Sequence, residues 1–193
     1  DVFLIIKTQA DKKQLDFEVE LHGNIPDGVY GDKTRIRQIL INLLNNAVKY
    51  TVIGCVRMDV EVEWKDGDQY MLAFRVEDTG IGIKEEDKKH IFDSFTRVDM
   101  KRNRDQEGTG LGLAVTLLFL KLMGGDLQVE SVYGMGSVFT AYIPMVVKDP
   151  TPVDMSLRRE DKEIEEYTMG NMHISNTSIL VADDNPINLK VME

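Results

Sequence analysis

The stretch DKTRIRQILINLLNNAVKYT, residues 32–51, constrains the architecture of this chain more than any other. Ile36, Ile39, Leu40, Leu43, Leu44, Ala47 and Val48 recur at i, i+3, i+4 and i+7 without a miss, which lines one side of an α-helix. Asp32 stands where an N-cap belongs. A helix with one apolar stripe has to bury it against a second layer. The chain offers that layer directly afterwards. Residues 55–64 and 69–76 alternate apolar and polar side chains, and the KDGD between them carries an Asp66-Gly67 hairpin signal.

The same periodicities place the remaining elements. Residues 1–14 are expected to be a helix, with Phe3, Ile6 and Ala10 on one side. A strand follows over 15–21, where Leu15, Phe17, Val19 and Leu21 alternate with polar residues, and GNIPDG then breaks the pattern. A charged helix is expected from Lys84 to about Phe95, then the polar, basic stretch TRVDMKRNRDQ. An apolar helix spans 110–123 and stops at Gly124. DLQVESVYGMGSVFTAYIPM is expected to form a last hairpin turning at residues 134–136. Helices mixed with mainly antiparallel strands give an α+β chain, a two-layer α/β sandwich. Residues 1–148 form this domain. Residues 149–177, with seven acids against three Lys or Arg, are expected to be an acidic linker. Residues 178–193, SILVADDNPINLKVME, contain one strand, the Asp183–Asp184 pair and the start of a helix, too little to bury a core alone.

Several functions are disfavoured. The longest apolar run, Leu111–Leu120, is too short for a membrane span, contains Thr116 and is followed by Lys121. No signal-peptide pattern precedes the first residues. The single Cys55 excludes an internal disulfide and fits a reducing compartment. A net charge of −10 argues against non-specific nucleic-acid binding, and a polyanionic ligand would need a metal ion or clustered cations. No nucleic-acid partner and no direct membrane contact are expected.

Three segments carry possible chemistry. At 100° per residue, Asn42, Asn46 and Lys49 fall within an arc of about 60° opposite the apolar stripe. Asparagine costs helix propensity relative to the Glu and Lys of a solvated face. Amide oxygens suit a hard cation such as Mg²⁺, which leans on substrate phosphates, and Lys49 can meet a phosphate. Asn45 points away from this cluster and is expected at the plain surface. VEDTGIGI, residues 76–83, puts an acid and two glycines where a strand ends, which suits either a simple turn or close backbone approach to a ligand. GTGLGL, residues 108–113, opens the apolar helix, so its N–H groups suit an anion, although such glycines also mark turns. No Gly-Lys-Ser/Thr follows it, and it comes after a polar loop instead of a strand, so neither the P-loop nor the dinucleotide fingerprint fits.

Taken in order, NLLNNAVKYT, DTGIGI, IFDSFTRVD and EGTGLGL resemble the four nucleotide-binding boxes of the sensor histidine kinases, members of the ATPase superfamily shared with gyrase, MutL and a heat-shock chaperone. The resemblance covers residues 1 to about 144. SILVADDNPIN resembles the opening of a response-regulator receiver domain, and kinase followed by receiver is the layout of a hybrid histidine kinase. The implied fold is the Bergerat type, a mixed, mainly antiparallel sheet covered by helices on one face. The implied ligands are ATP and Mg²⁺. The implied location is cytoplasmic, including the cytoplasmic part of a membrane-bound sensor.

By this resemblance Asp78 accepts the adenine amino group, and Gly80, Gly82 and Ile83 let the turn pass the purine. A carboxylate accepts but cannot donate, so guanine is repelled. Asn46 resembles the Mg²⁺ ligand, supported by Asn42. Lys49 and Tyr50 match positions touching the phosphates and the adenine. Gly108, Thr109, Gly110, Leu111, Gly112 and Leu113 match the segment that cradles the phosphates and hinges a lid over about 96–110. Phe92 and Phe95 match the box anchoring that lid, Arg97 a cation near the γ-phosphate, and Lys101, Arg102 and Arg104 are further lid cations. Asp183 and Asp184 match the acidic pair of an incomplete receiver Mg²⁺ site. Gyrase-like relatives carry a glutamate base at the position of Asn42. Asparagine cannot be a base, so a site that protects ATP from water and passes its γ-phosphoryl to an imidazole is implied, with Asn42, Lys49 and Arg97 in the catalytic role. The partners implied are a histidine-bearing dimerisation domain and a receiver domain or response regulator. His22, His90 and His173 lack the acceptor's context and are expected to be incidental. The alternatives are a nucleotide-driven conformational switch and a non-catalytic scaffold of the same superfamily.

Overall fold

The computed structural model describes residues 2–93 and 111–153. In chain order the elements are α1 (Val2–Lys12), β1 (Asp16–His22), β2 (Pro26–Tyr30), α2 (Lys33–Tyr50), β3 (Cys55–Asp66), β4 (Gln69–Asp78), α3 (Gly112–Leu122), β5 (Asp126–Val132) and β6 (Gly136–Pro152). α2 is the striped helix. Asp32 caps it by accepting the N–H groups of Thr34 and Arg35 at 3.1 and 3.0 Å, which satisfies two donors that have no partner within the helix. Of its stripe, Ile39, Leu43, Leu44, Ala47 and Val48 are buried, and Ile36 and Leu40 are partly so.

The second layer is a six-stranded sheet in the order β1-β3-β4-β6-β2, with β5 also paired to β6. β1 lies parallel to β3, and every other pairing is antiparallel. β3 and β4 form the expected hairpin, closed at Asp66↔Gln69 around Gly67, whose φ is +58°. β6 takes β4 along one edge, while its other edge carries β5 on its first half and β2 on its second. Alternate residues of these strands point at the helices: Phe139, Ala141, Ile143, Met145 and Val147 on β6, with Val56, Val60, Leu72, Phe74 and Val76 beside them. α1 and α3 pack against α2, which rests on β3 and β4. The other face of the sheet is charged, with Arg75 bridging Asp59 at 3.1 Å and Glu77 at 2.6 Å. This is the expected α+β two-layer sandwich, a mixed, mainly antiparallel sheet covered on one face.

Three details differ from expectation. The short strand β2 starts within the GNIPDG break and runs on to Tyr30, its pairing extending from Pro26↔Pro152 to Tyr30↔Val146 with register shifts on either side of Gly28. A proline at the first position and an irregular register conceal an edge strand from any search for alternation. The helix expected from Lys84 is not formed over its described part. Residues 85–92 are turns, in which the N–H groups of Asp87 and Lys88 donate to Lys84 O, and those of His90 and Asp93 donate to Asp87 O and His90 O. Ile91 is buried and Phe92 partly so, which is little apolar surface to carry a continuous helix. Third, β6 runs to Pro152, and Val153 N–H donates to Ile25 O at 2.8 Å. The sheet therefore takes in residues 149–152, which the sequence placed in the linker.

Candidate functional site

Asp78 ends β4 on the inner face of the sheet, opposite Val56 on β3 and Ser137 on β6. It is 6% exposed, a charged side chain at the rim of an apolar core. Its Oδ1 accepts the Gly80 N–H at 2.8 Å, and the Ser137 N–H also donates to the carboxylate. Burial pushes its pKa up to about 6, against the lowering effect of those two N–H groups, with Glu77 adding a small rise. The carboxylate is thus held in place by donors, and it is poised to titrate near neutrality.

The two glycines after it are imposed by the protein's own backbone. A Cβ on Gly80 would lie 2.5 Å from the Tyr50 carbonyl oxygen. Gly82 has φ +64°, and a Cβ there would sit 2.1 Å from the Val132 carbonyl oxygen. The corner is therefore wedged between the end of α2 and the β5–β6 turn. Ile81 N–H donates to Tyr50 O at 3.3 Å, Gly134 N–H to Ile81 O at 2.7 Å, and Ile83 N–H to Ser131 Oγ at 2.8 Å. Ser131 in turn donates to Gly136 O at 2.9 Å and lies 3.0 Å from the Ser137 hydroxyl. This buried serine pair under the corner has no sequence signature, because isolated serines in strands look like ordinary polar positions.

On α2, Asn42 is half-buried and fully engaged. Its Oδ1 accepts Gln38 Nε2 at 3.0 Å, and its Nδ2 donates to Gly112 O at 3.2 Å and Thr116 Oγ1 at 3.3 Å. Asn42 thus clasps α2 to the first turn of α3. Thr116 is completely buried, and sequence reasoning used it only against a membrane span. Asn46, one turn further on, makes no side-chain hydrogen bond among the described residues. Lys49 sits with its Nζ 5.0 Å from the centre of the Tyr50 ring. Asn45 does not lie at a plain surface. It is half-buried, and its shielded Oδ1 has no partner among the described residues. The reason is that α2 has α1 on one side, α3 on another and the sheet beneath, so little of its circumference is free.

α3 starts at Gly112 with no side-chain cap from Leu111 among the described residues, and its first N–H groups suit an anion. Leu111 is half-buried, and Leu113 packs on the core. Gly108, Thr109, Gly110, Arg97, Phe95, Lys101, Arg102, Arg104, Asp183, Asp184 and His173 lie outside the described residues. Of the described histidines, His22 is exposed beside Glu20 and Asp59, and His90 is exposed against Asp93 at 2.9 Å. The structure therefore gathers Asp78, Gly80 and Gly82 at one end of α2, and Asn42, Gly112 and Thr116 along its side. Asn46, Lys49 and Tyr50 lie between. The site fits a divalent cation in one respect: the Asn46 amide offers an uncommitted hard oxygen on this polar face, whereas the Asn42 oxygen already holds Gln38.

Known proteins resemble this chain in sequence and in fold. Residues 31–147 match the family described as histidine kinase-, DNA gyrase B- and HSP90-like ATPase. Hybrid signal transduction histidine kinase B of Dictyostelium discoideum is 40% identical over 147 residues, 76% of this chain and 8% of its own length. The peroxide stress-activated histidine kinase mak2 of Schizosaccharomyces pombe is 34% identical over 94% of this chain and 8% of its own length. The chain thus spans a small part of these relatives. Among solved structures, full-length ShkA in complex with AMPPNP superposes with a TM-score of 0.66 at 30% identity, covering 77% of this chain and 30% of ShkA. The nucleotide-free catalytic domain of the histidine kinase ThkA gives a TM-score of 0.57 at 29% identity, covering 74% of this chain and 88% of that domain. Among the described residues, no helix is long and apolar enough to cross a membrane.

Proposed function

The chain belongs to the histidine kinase-, DNA gyrase B- and HSP90-like ATPase family, and from that premise we propose that it is the ATP-binding catalytic module of a hybrid histidine kinase. It takes up ATP with Mg²⁺ and passes the γ-phosphoryl to a histidine on a separate dimerisation domain. The observation that carries this reading is the buried Asp78 carboxylate, fixed by N–H groups at the mouth of the helical layer. A carboxylate so held has acceptor capacity left and nothing to donate, which selects an adenine amino group over a guanine carbonyl.

The other residues follow from their places. Asn46 holds the cation, which when bound offsets the phosphate charge. Lys49 meets the phosphates and Tyr50 the adenine. The open N–H groups at the start of α3, with Leu111, Gly112 and Leu113, receive the phosphates, joined by Gly108, Thr109 and Gly110. Arg97 supplies a cation at the γ-phosphate. Asn42 works by position: its amide locks the phosphate-binding helix to α2 and, being no base, leaves water unactivated. Residues 1–153 form the module, its last strand reaching Pro152, with 154–177 a linker and 178–193 the start of a receiver in which Asp183 and Asp184 contribute to a Mg²⁺ site. The match to mak2 covers 94% of the chain, so the similarity to that kinase extends into residues 154–193. The module works in the cytoplasm, and its partners are the histidine-bearing domain and a receiver or response regulator.

Titration with a slowly hydrolysed ATP analogue tests this. Binding is expected to require Mg²⁺ and to favour adenine over guanine nucleotides. Saturable binding with no preference between the two bases would overturn the assignment of Asp78, and no binding at all would leave the scaffold reading in its place.

A further inference from the structure

The end of α2 lies between the two halves of the candidate site, and its carbonyl groups show what holds it. Ala47 O accepts from both the N–H and the hydroxyl of Thr51, at 3.1 and 2.8 Å. Tyr50 O accepts from Ile81 N–H in the Asp78 corner at 3.3 Å. Between them, Val48 O and Lys49 O accept from Lys13 Nζ at 2.8 and 2.9 Å, and Thr51 O accepts from it at 3.4 Å. One ammonium from α1's trailing turn therefore satisfies carbonyls at the end of α2 that no intrahelical donor can reach, and its charge opposes the negative end of the helix.

Lys13 is itself held in place. Its side chain is largely exposed, but its backbone lies between the buried Ala10 and Leu15. Gln14, immediately after it, has φ +58° and is the one non-glycine residue with positive φ among the described residues. The N–H groups of Lys13 and Leu15 both donate to Ala10 O at 3.0 Å, which closes the turn. Burial, and then the neighbouring Lys49 cation, hold the Lys13 pKa below its ordinary value. The chain thus accepts an unfavourable backbone conformation and a second nearby cation at this point.

We propose that Lys13 is a positioning residue for the nucleotide pocket: its ammonium fixes the last turn of α2 in the register at which Tyr50 O meets Ile81 N–H, and so sets the Asp78 corner relative to Asn46 and Lys49. The Gly80 backbone packs against the same carbonyl, with no room for a Cβ, so a shift of the helix end moves the corner with it. Lys13 touches no nucleotide and acts through α2.

The inference rests on the nucleotide reading above, and the test separates the two. The full chain and the variants Lys13→Met, Lys13→Arg and Lys7→Met are titrated with a fluorescent ATP analogue and Mg²⁺ well below their unfolding midpoints. Trimethylamine N-oxide is added to all four if Lys13→Met needs it to stay folded. Lys7 supplies the control, a partly exposed α1 cation paired with Asp11. Lys13→Met is expected to weaken binding by about fivefold or more, with Lys13→Arg recovering most of it and Lys7→Met unchanged. Amide exchange at Ile81 is expected to quicken in Lys13→Met alone, which a general loss of stability would not single out. If the parent chain fails to bind, the nucleotide reading falls. If the parent binds and folded Lys13→Met binds equally well with unchanged Ile81 exchange, the positioning role is overturned.

Discussion

Asp78 pulls stability and binding in opposite directions. With its pKa raised from 3.8 to about 6, the folded protein binds this proton more tightly than the unfolded chain does. Its contribution to the stability of the nucleotide-free protein therefore grows as pH falls from about 6 towards 3.8 and is lost as pH rises through about 6. Nucleotide affinity runs the other way, because protonation replaces an acceptor with an O–H, so affinity should fall as pH drops through about 6. Asp78→Asn keeps the shape and an oxygen for Gly80 N–H while removing the buried charge. It is expected to equal or exceed the parent in thermal stability at pH above 7 and to lack the parent's gain as pH falls from about 6 towards 3.8, so the difference between them narrows over that range. Its affinity for ATP should drop by roughly 10- to 100-fold, the equivalent of one hydrogen bond to a charged group at about 1.5–3 kcal/mol. Calorimetry and titration across pH check both halves. A variant that binds as tightly as the parent would remove Asp78 from base recognition.

Elements were legible in the sequence where their pattern is local. The α2 stripe, its Asp32 cap, the Asp66–Gly67 hairpin and the β5–β6 turn all follow from periodicity and turn chemistry within a few residues. β2 and the far end of β6 were not, because each is a strand only by virtue of the other, about 120 residues away, and Pro26 and Pro152 hide the pairing. The Lys84 segment failed the other way: its charge pattern permits a helix, but Ile91 and Phe92 bring too little apolar surface to hold one. In the site, residue types were legible and partners were not. Asn42 stood out on its helix face, yet its hold on Gly112 and Thr116 depends on how α2 meets α3. Thr116→Val keeps the shape and removes one partner of that clasp, so it should cost about 1 kcal/mol in chemical denaturation. It should also weaken binding of a triphosphate more than binding of adenosine, since the start of α3 keeps only its Gly112 tie to Asn42 while the Asp78 corner is untouched. Equal losses for both ligands would show that the clasp carries general stability and leaves the phosphate segment unaffected.

At the scale of the whole molecule, the sheet bears on the phosphoryl transfer proposed above. The site lies on its helical side, with Asp78, Ser137 and α2. His22 projects from the opposite, charged face, where its neighbours are Glu20 and Asp59, so the thickness of the sheet separates it from the pocket. His90 sits on an exposed turn bonded to Asp93. Neither imidazole is placed to receive a phosphoryl group, and His173 is followed by Ile174 without an acid beside it. On the proposed reading the acceptor arrives on another body and approaches from the helical side, which carries Asp78 and α2. Incubated alone with γ-labelled ATP and Mg²⁺, the chain is expected to remain unlabelled. With a purified histidine-bearing hairpin domain added in trans, label should appear on that domain. It should fail to appear when either Asp78→Asn or Asn46→Ala replaces the parent. Label retained by the chain alone would place the acceptor within it, and nucleotide-dependent association without label on either protein would favour the conformational switch.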